Sequence, residues 1–181
     1  ERTPILLVHG GLVNGSSFAE VQVRFHASGY CEGWVDAFDW NSFTDVSQED
    51  LSILPDALVV EQLDDAVDAL LKQTGFSQLH LMAHSAGGQA SYVYLADPGR
   101  AAKVAAYAHI GSFLQEGLPI PGGDLRMINI HSALDSVSGF VPAGFIPGAT
   151  NVEFPGDHLQ VLGSVETFRV LYSFFNDGQE A

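Results

Sequence analysis

Ser85 stands at the centre of Ala83-His84-Ser85-Ala86-Gly87, a G-x-S-x-G pattern with alanine in place of the first glycine. Before it runs an apolar segment with Leu79, Leu81 and Met82. After it comes Ala90, Tyr92, Val93 and Leu95 at helical spacing. The order strand, sharp turn, helix puts the serine at the apex. There its hydroxyl stands clear of a sheet, and small neighbours let strand and helix close around it. The chemistry such a serine performs is nucleophilic attack on an acyl carbon. The helix entered at Ala86 would aim its free N–H groups at the developing oxyanion. An ordinary αβ turn also carries serines between small residues, and only the rest of the chain separates the two.

A serine nucleophile needs a base and a group to orient that base. Asp135 closes the apolar segment Arg126–His131 and the short connection after it, and His158 follows Asn151–Phe154 through Pro155-Gly156-Asp157. Both sit just past the carboxyl ends of predicted strands, where open α/β sheets bind ligands. His158 is expected to take the Ser85 proton, with Asp135 fixing its tautomer. Asp124 and Asp157 are rival acids; Asp124 precedes a strand rather than closing one, and Asp157 reads as a capping residue. The backbone N–H groups of Gly11, after the first strand, and Ala86 are the expected oxyanion donors. Apolar residues flanking these positions, Leu12, Phe113, Leu114, Phe140, Val141 and Leu159, are the candidates for contact with an acyl group. The same residues would also serve as core plugs.

The seven histidines include His80 and His84, four apart. That spacing binds metal on a helix, and here it falls on a strand and its turn, so both read as structural. His9, His26, His109 and His131 are read the same way. Asp45, Glu49 and Asp50 lack the alternating oxygens and the turn glycine of a calcium loop. No metal-ligand set is read from the chain.

The elements that must position these residues alternate along the sequence. Pro4–Val8 is a continuous apolar strand, Phe18–Ala27 a helix, and Trp34–Phe38 a strand. Asn41–Asp56 reads as a long acidic loop, and Leu58–Thr74 as an amphipathic helix stopped by Gly75. After the Ser85 unit, Asp97-Pro98-Gly99 reads as a stop. Lys103–Ile110, Arg126–His131 and Asn151–Phe154 follow as strands, and Val165–Phe175 as the closing helix. The fold expected is α/β: a single domain over residues 1–181, with about six strands, the usual sheet size. The sheet is mainly parallel with helices on both faces, and no connection is long enough for a large helical lid.

The chain has 181 residues, 46% of them hydrophobic and 16% charged, which is a globular composition. Twenty-two acidic against seven basic residues give a formal net charge of −15. That balance argues against nucleic acid and anionic membrane surfaces as partners, and suits a neutral small molecule. No apolar run reaches the ~20 residues of a membrane helix, and the opening Glu1-Arg2-Thr3-Pro4 carries no signal peptide pattern. The one cysteine, Cys31, allows no internal disulfide and is expected to be at least half buried.

Taken together, Pro4–Gly11 (P-I-L-L-V-H-G-G), Ala83–Gly88 (A-H-S-A-G-G), Ser132–Asp135 and Gly156–His158 resemble the α/β-hydrolase family. The alanine-for-glycine elbow resembles that of its small, minimal-fold bacterial lipases. Arg100–Val104 and Gly148–Phe175 are also similar to the catalytic domain of an archaeal lipase. The resemblance implies carboxylic ester hydrolysis by Ser85, Asp135 and His158 with no cofactor, on a small ester or lipid, in a secreted protein. It leaves open a thioesterase, amidase, polyester hydrolase or acyltransferase on the same residues, since all share the acyl-enzyme step. A non-catalytic binding module on the same fold is the remaining alternative.

Overall fold

The computed structural model describes residues 2–42, 57–112, 125–135, 137 and 144–181. Six strands form one sheet in the order β2-β1-β3-β4-β5-β6: β1 Ile5–Val8, β2 Val35–Phe38, β3 Leu79–His84, β4 Val104–Ile110, β5 Arg126–His131 and β6 Thr150–Glu153. Every neighbouring pair is parallel, so all six carboxyl ends emerge on one side. The helices are α1 Ala19–Ala27, α2 Ala57–Thr74, α3 Ala86–Leu95, α4 Pro98–Ala101, α5 Gln160–Gly163 and α6 Val165–Phe175.

The pleat explains the layers. Alternate residues of a strand face opposite sides, and β1 is apolar on both. Leu6 and Val8 join the core made by α2 and α3, with Val60, Leu63, Val67, Ala90 and Tyr94. Ile5 and Leu7 join the core made by α1, α5 and α6, with Phe25, Val161, Leu171 and Phe175. A strand buried on both faces has no use for polar alternation, which is why β1 reads as an unbroken apolar run and why β3 buries even its two histidines. Helix α3 packs on both the sheet and α2, and all of it except Gln89 and Val93 is buried. The wide apolar surface and small residues of this segment follow from that double contact.

The structure adds two short helices and changes one local expectation. Asp97-Pro98-Gly99 stops α3 at Leu95 as expected and also starts α4: the Asp97 carboxylate accepts the Arg100 N–H and Pro98 occupies the first turn. Asp-Pro marks a helix start as well as a chain break. Helix α5, only four residues long, is too short to show a helical period in the sequence. Cys31 is exposed; its neighbour Tyr30 takes the buried position and packs edge-on against Phe25. The acidic segment with Asp45, Glu49 and Asp50 lies outside the described residues. Among the described residues, no helix is long and apolar enough to cross a membrane.

Candidate active site

The turn between β3 and α3 has the strain that its position demands. Ser85 adopts φ 54°, ψ −127°, and only two other described non-glycine residues, Leu12 and Asp177, have positive φ. A side chain held there is unfavourable by about 1–3 kcal/mol, so the surroundings must enforce it. They do so by close approach. A Cβ on Gly87 would lie 2.4 Å from the Val8 carbonyl oxygen and 2.5 Å from that of His9, and one on Gly10 would lie 2.9 Å from Ser85 Cβ. The small residues around the serine thus let α3 start directly against the end of β1.

Asp135 and His158, 23 positions apart, are brought together by the adjacent strands β5 and β6. The His158 Nδ1–H donates to Asp135 Oδ2 at 2.7 Å, with the two side chains 10% and 1% exposed. The other Asp135 oxygen accepts the Val137 N–H at 3.0 Å. Gly111, with φ 49°, lies where these groups meet. A Cβ there would lie 3.4 Å from Asp135 Oδ2 and 3.5 Å from both His158 Nδ1 and His84 Nε2. Among the described residues no hydrogen bond joins Ser85 Oγ to His158; such contacts commonly tighten only when substrate is bound.

His84 links the two halves of the site. Its Nε2–H donates to the His158 carbonyl at 2.9 Å, and the rings lie 4.5 Å apart between centroids. Burial, aided by the neighbouring His158, lowers its pKa to about 3, so the ring is a neutral donor near neutral pH. The sequence marked His84 as structural; its contact with the His158 backbone was not visible there.

Of the rival acids, Asp157 caps α5, its Oδ1 accepting the Leu159 and Gln160 N–H groups at 3.0 and 2.8 Å. Asp124 lies outside the described residues, as do Phe113, Leu114, Phe140 and Val141. Leu12 and Leu159 are described, and are 65% and 66% exposed. They are joined by Leu134 and Val137, which flank Asp135 and which the sequence reading missed. An exposed leucine directly before an acid at a strand end was the available signal. Four exposed aliphatic side chains thus adjoin the candidate site residues in the chain. A cavity of about 650 Å³ lies elsewhere, between β6 and α6, lined by residues including Thr150, Val152, Arg169 and Phe174 and by none of the candidate site residues.

Among the described residues the N–H groups of Gly11 and Ala86 have no hydrogen-bond partner. Ala86 is the first residue of α3 and follows Ser85. Gly11 follows Gly10, whose added Cβ would lie 3.4 Å from Ser85 Oγ. An unengaged N–H pair beside a strained serine is chemically suited to receiving an anionic oxygen.

The family model for class 2 lipases matches residues 2–95, a span that includes Gly11, Ser85 and Ala86 and stops short of Asp135 and His158. Among solved structures, the chain is similar to a predicted CIB-like hydrolase from Thermoplasma acidophilum (18% identity, TM-score 0.68, covering 97% of this chain and 87% of the other). It is also similar to the mature form of the Bacillus licheniformis lipase BlEst2 (14% identity, TM-score 0.70, covering 96% and 92%). A pyrethroid hydrolase from Sphingobium faniae has the same fold (16% identity, TM-score 0.65, covering 97% and 98%). At these identities the structural likeness is one of fold.

Proposed function

The chain belongs to the class 2 lipase family, a hydrolase family of the esterase and lipase kind, and on that premise we propose that it cleaves carboxylic esters through Ser85, His158 and Asp135. Ser85 Oγ attacks the ester carbonyl carbon while His158 Nε2 takes its proton. The oxyanion is received by the Gly11 and Ala86 N–H groups. Collapse of the tetrahedral intermediate breaks the bond to the alcohol, which leaves with the proton from His158, and the acyl group stays on Ser85. Water then attacks the acyl-enzyme, giving its proton to His158, and the acid departs as Ser85 is restored. Asp135 holds the Nδ1–H throughout and stabilises the imidazolium that forms twice per cycle.

The observation that most supports this reading is the buried 2.7 Å bond between His158 and Asp135, meeting at Gly111 next to Ile110, whose carbonyl accepts the N–H of a serine held at positive φ. A structural ion pair would not need a strained serine next to it. Leu12, Leu134, Val137 and Leu159 support an apolar acyl group, and the charge of −15 disfavours anionic substrates. Segments 113–124 and 138–143, which adjoin the candidate site residues in the sequence, fall outside the described residues. Their lengths favour an open site and short-chain esters.

The test is hydrolysis of p-nitrophenyl esters from acetate to palmitate by the protein and its Ser85→Ala variant. The expected result is turnover highest at the short-chain end and absent from the variant. Equal rates in both proteins, or none in either, would sink the ester reading, and an optimum at palmitate would replace the open-site expectation.

A further inference from the structure

Both candidate oxyanion N–H groups belong to peptides whose carbonyls are gripped from the opposite side. The Ser85–Ala86 peptide has its oxygen engaged twice, by the Ser112 hydroxyl at 2.6 Å and by the Gly88 N–H at 2.8 Å. The Gly10–Gly11 peptide has its oxygen engaged by His9 Nδ1 at 2.8 Å. No described peptide bond is cis, so in each plane the N–H points away from the carbonyl. A hydrogen bond that fixes the oxygen therefore fixes the direction of the N–H.

The two gripping side chains are themselves held in place. A carbonyl only accepts, so His9 Nδ1 carries the hydrogen, and Nε2 is left to accept the Trp40 N–H at 3.2 Å. One neutral tautomer satisfies both bonds. The Asp39 carboxylate also lies 3.2 Å from Nε2, but it is largely exposed and accepts the Gly15 N–H. The ring stacks on Trp40 at 5.3 Å, and the Trp40 indole N–H donates to the His9 carbonyl at 3.1 Å. Ser112 is 2% exposed and packs so closely on α3 that a Cβ on Gly88 would lie 2.2 Å from its Oγ.

We propose that Ser112 and His9 are positioning residues of the oxyanion hole, each holding the carbonyl of the peptide whose N–H receives the substrate oxygen. Neither side chain touches the reacting atoms. Their effect is to stop the two peptide planes from rocking, so that the donors are aligned before the charge develops. The inference rests on the ester-hydrolase reading above, since it assigns the function of the two N–H groups that reading uses.

Ser112→Ala is the discriminating variant. It removes one oxygen atom and leaves Ser85 O bonded to the Gly88 N–H, so its melting temperature is expected to match that of the parent. Outright removal of one oxyanion donor lowers kcat by about 10²–10³-fold. Loosening a donor is expected to lower kcat about tenfold with KM unchanged. The specific readout is inhibition by an alkyl trifluoromethyl ketone, whose serine adduct carries an oxyanion. Its Ki is expected to rise by the same factor by which kcat/KM falls. His9→Phe, which keeps the stack on Trp40 and removes the Nδ1 donor, is expected to act in the same direction.

Ser112→Ala turnover within twofold of the parent would overturn the inference and leave the ester reading standing. A fall in kcat with the ketone Ki unchanged would also overturn it, because a donor that binds the oxyanion must affect both. A parent protein without Ser85-dependent ester turnover would overturn both the reading and the inference built on it.

Discussion

Ser85→Ala is expected to lower kcat for p-nitrophenyl butyrate by on the order of 10⁶-fold, the scale seen when a triad serine is removed, while the protein stays folded. The size of the effect follows from what remains. His158 can still activate a water and the oxyanion donors still stand, but no acyl-enzyme can form, and the two easier steps become one difficult one. The accompanying stability change distinguishes a nucleophile from a structural serine. No side-chain hydrogen bond holds Ser85 Oγ among the described residues, so alanine at φ 54° keeps the same strain and loses little. Ser85→Gly removes the strain and is expected to stabilise the fold by about 1 kcal/mol, seen as a higher melting temperature. A serine whose loss lowered stability by several kcal/mol and activity only in proportion would be a turn residue and nothing more.

The second large effect is that of Asp135→Asn, expected to reduce kcat by about 10⁴-fold with little change in KM. The reason is the hydrogen-bond polarity at this position. Asp135 Oδ1 accepts the Val137 N–H and Oδ2 accepts the His158 Nδ1–H. In asparagine the carbonyl oxygen takes the Val137 N–H, and the amide nitrogen then faces His158 as a donor. Nδ1 must become the acceptor and the ring's hydrogen moves to Nε2, where it blocks proton uptake from Ser85. The volume hardly changes, so packing explains none of the loss. Steady-state kinetics on the purified variant measures the effect, and a loss of tenfold or less would mean that Asp135 does not set the tautomer.

The parts of this account that the sequence made legible are those with a local spelling. Apolar runs placed five of the six strands within one residue at each end, and placed β3 once its turn was recognised. The elbow announced itself because a strained serine needs small neighbours, and Asp135 and His158 because they follow strands. Gly87 and Gly111 show why that spelling holds: an added side chain would press on the carbonyls of Val8 and His9 in one case and be held at φ 49° in the other.

What escaped the sequence reading is chemistry directed at backbone atoms. Ser112 lies 27 positions from the carbonyl it binds, and Trp40 lies 31 from His9. A serine after a glycine at a strand end carries no periodicity or motif to mark it, and His9 reads as a turn histidine until Trp40 is seen stacked on it. The short helices α4 and α5 carry no clear sequence signal for a related reason. One turn of helix has no period, and Asp-Pro-Gly serves as both a stop and a start.

Covalent labelling is the sharpest test of Ser85 as the nucleophile. The protein would be incubated with a p-nitrophenyl alkylphosphonate, digested and mapped by mass spectrometry. The expected result is one phosphonyl adduct, on Ser85, with release of one p-nitrophenolate per chain, loss of ester turnover in step with labelling, and no adduct on Ser85→Ala. Ester turnover that survives complete labelling, or an adduct that forms on another residue, would contradict Ser85 as the nucleophile.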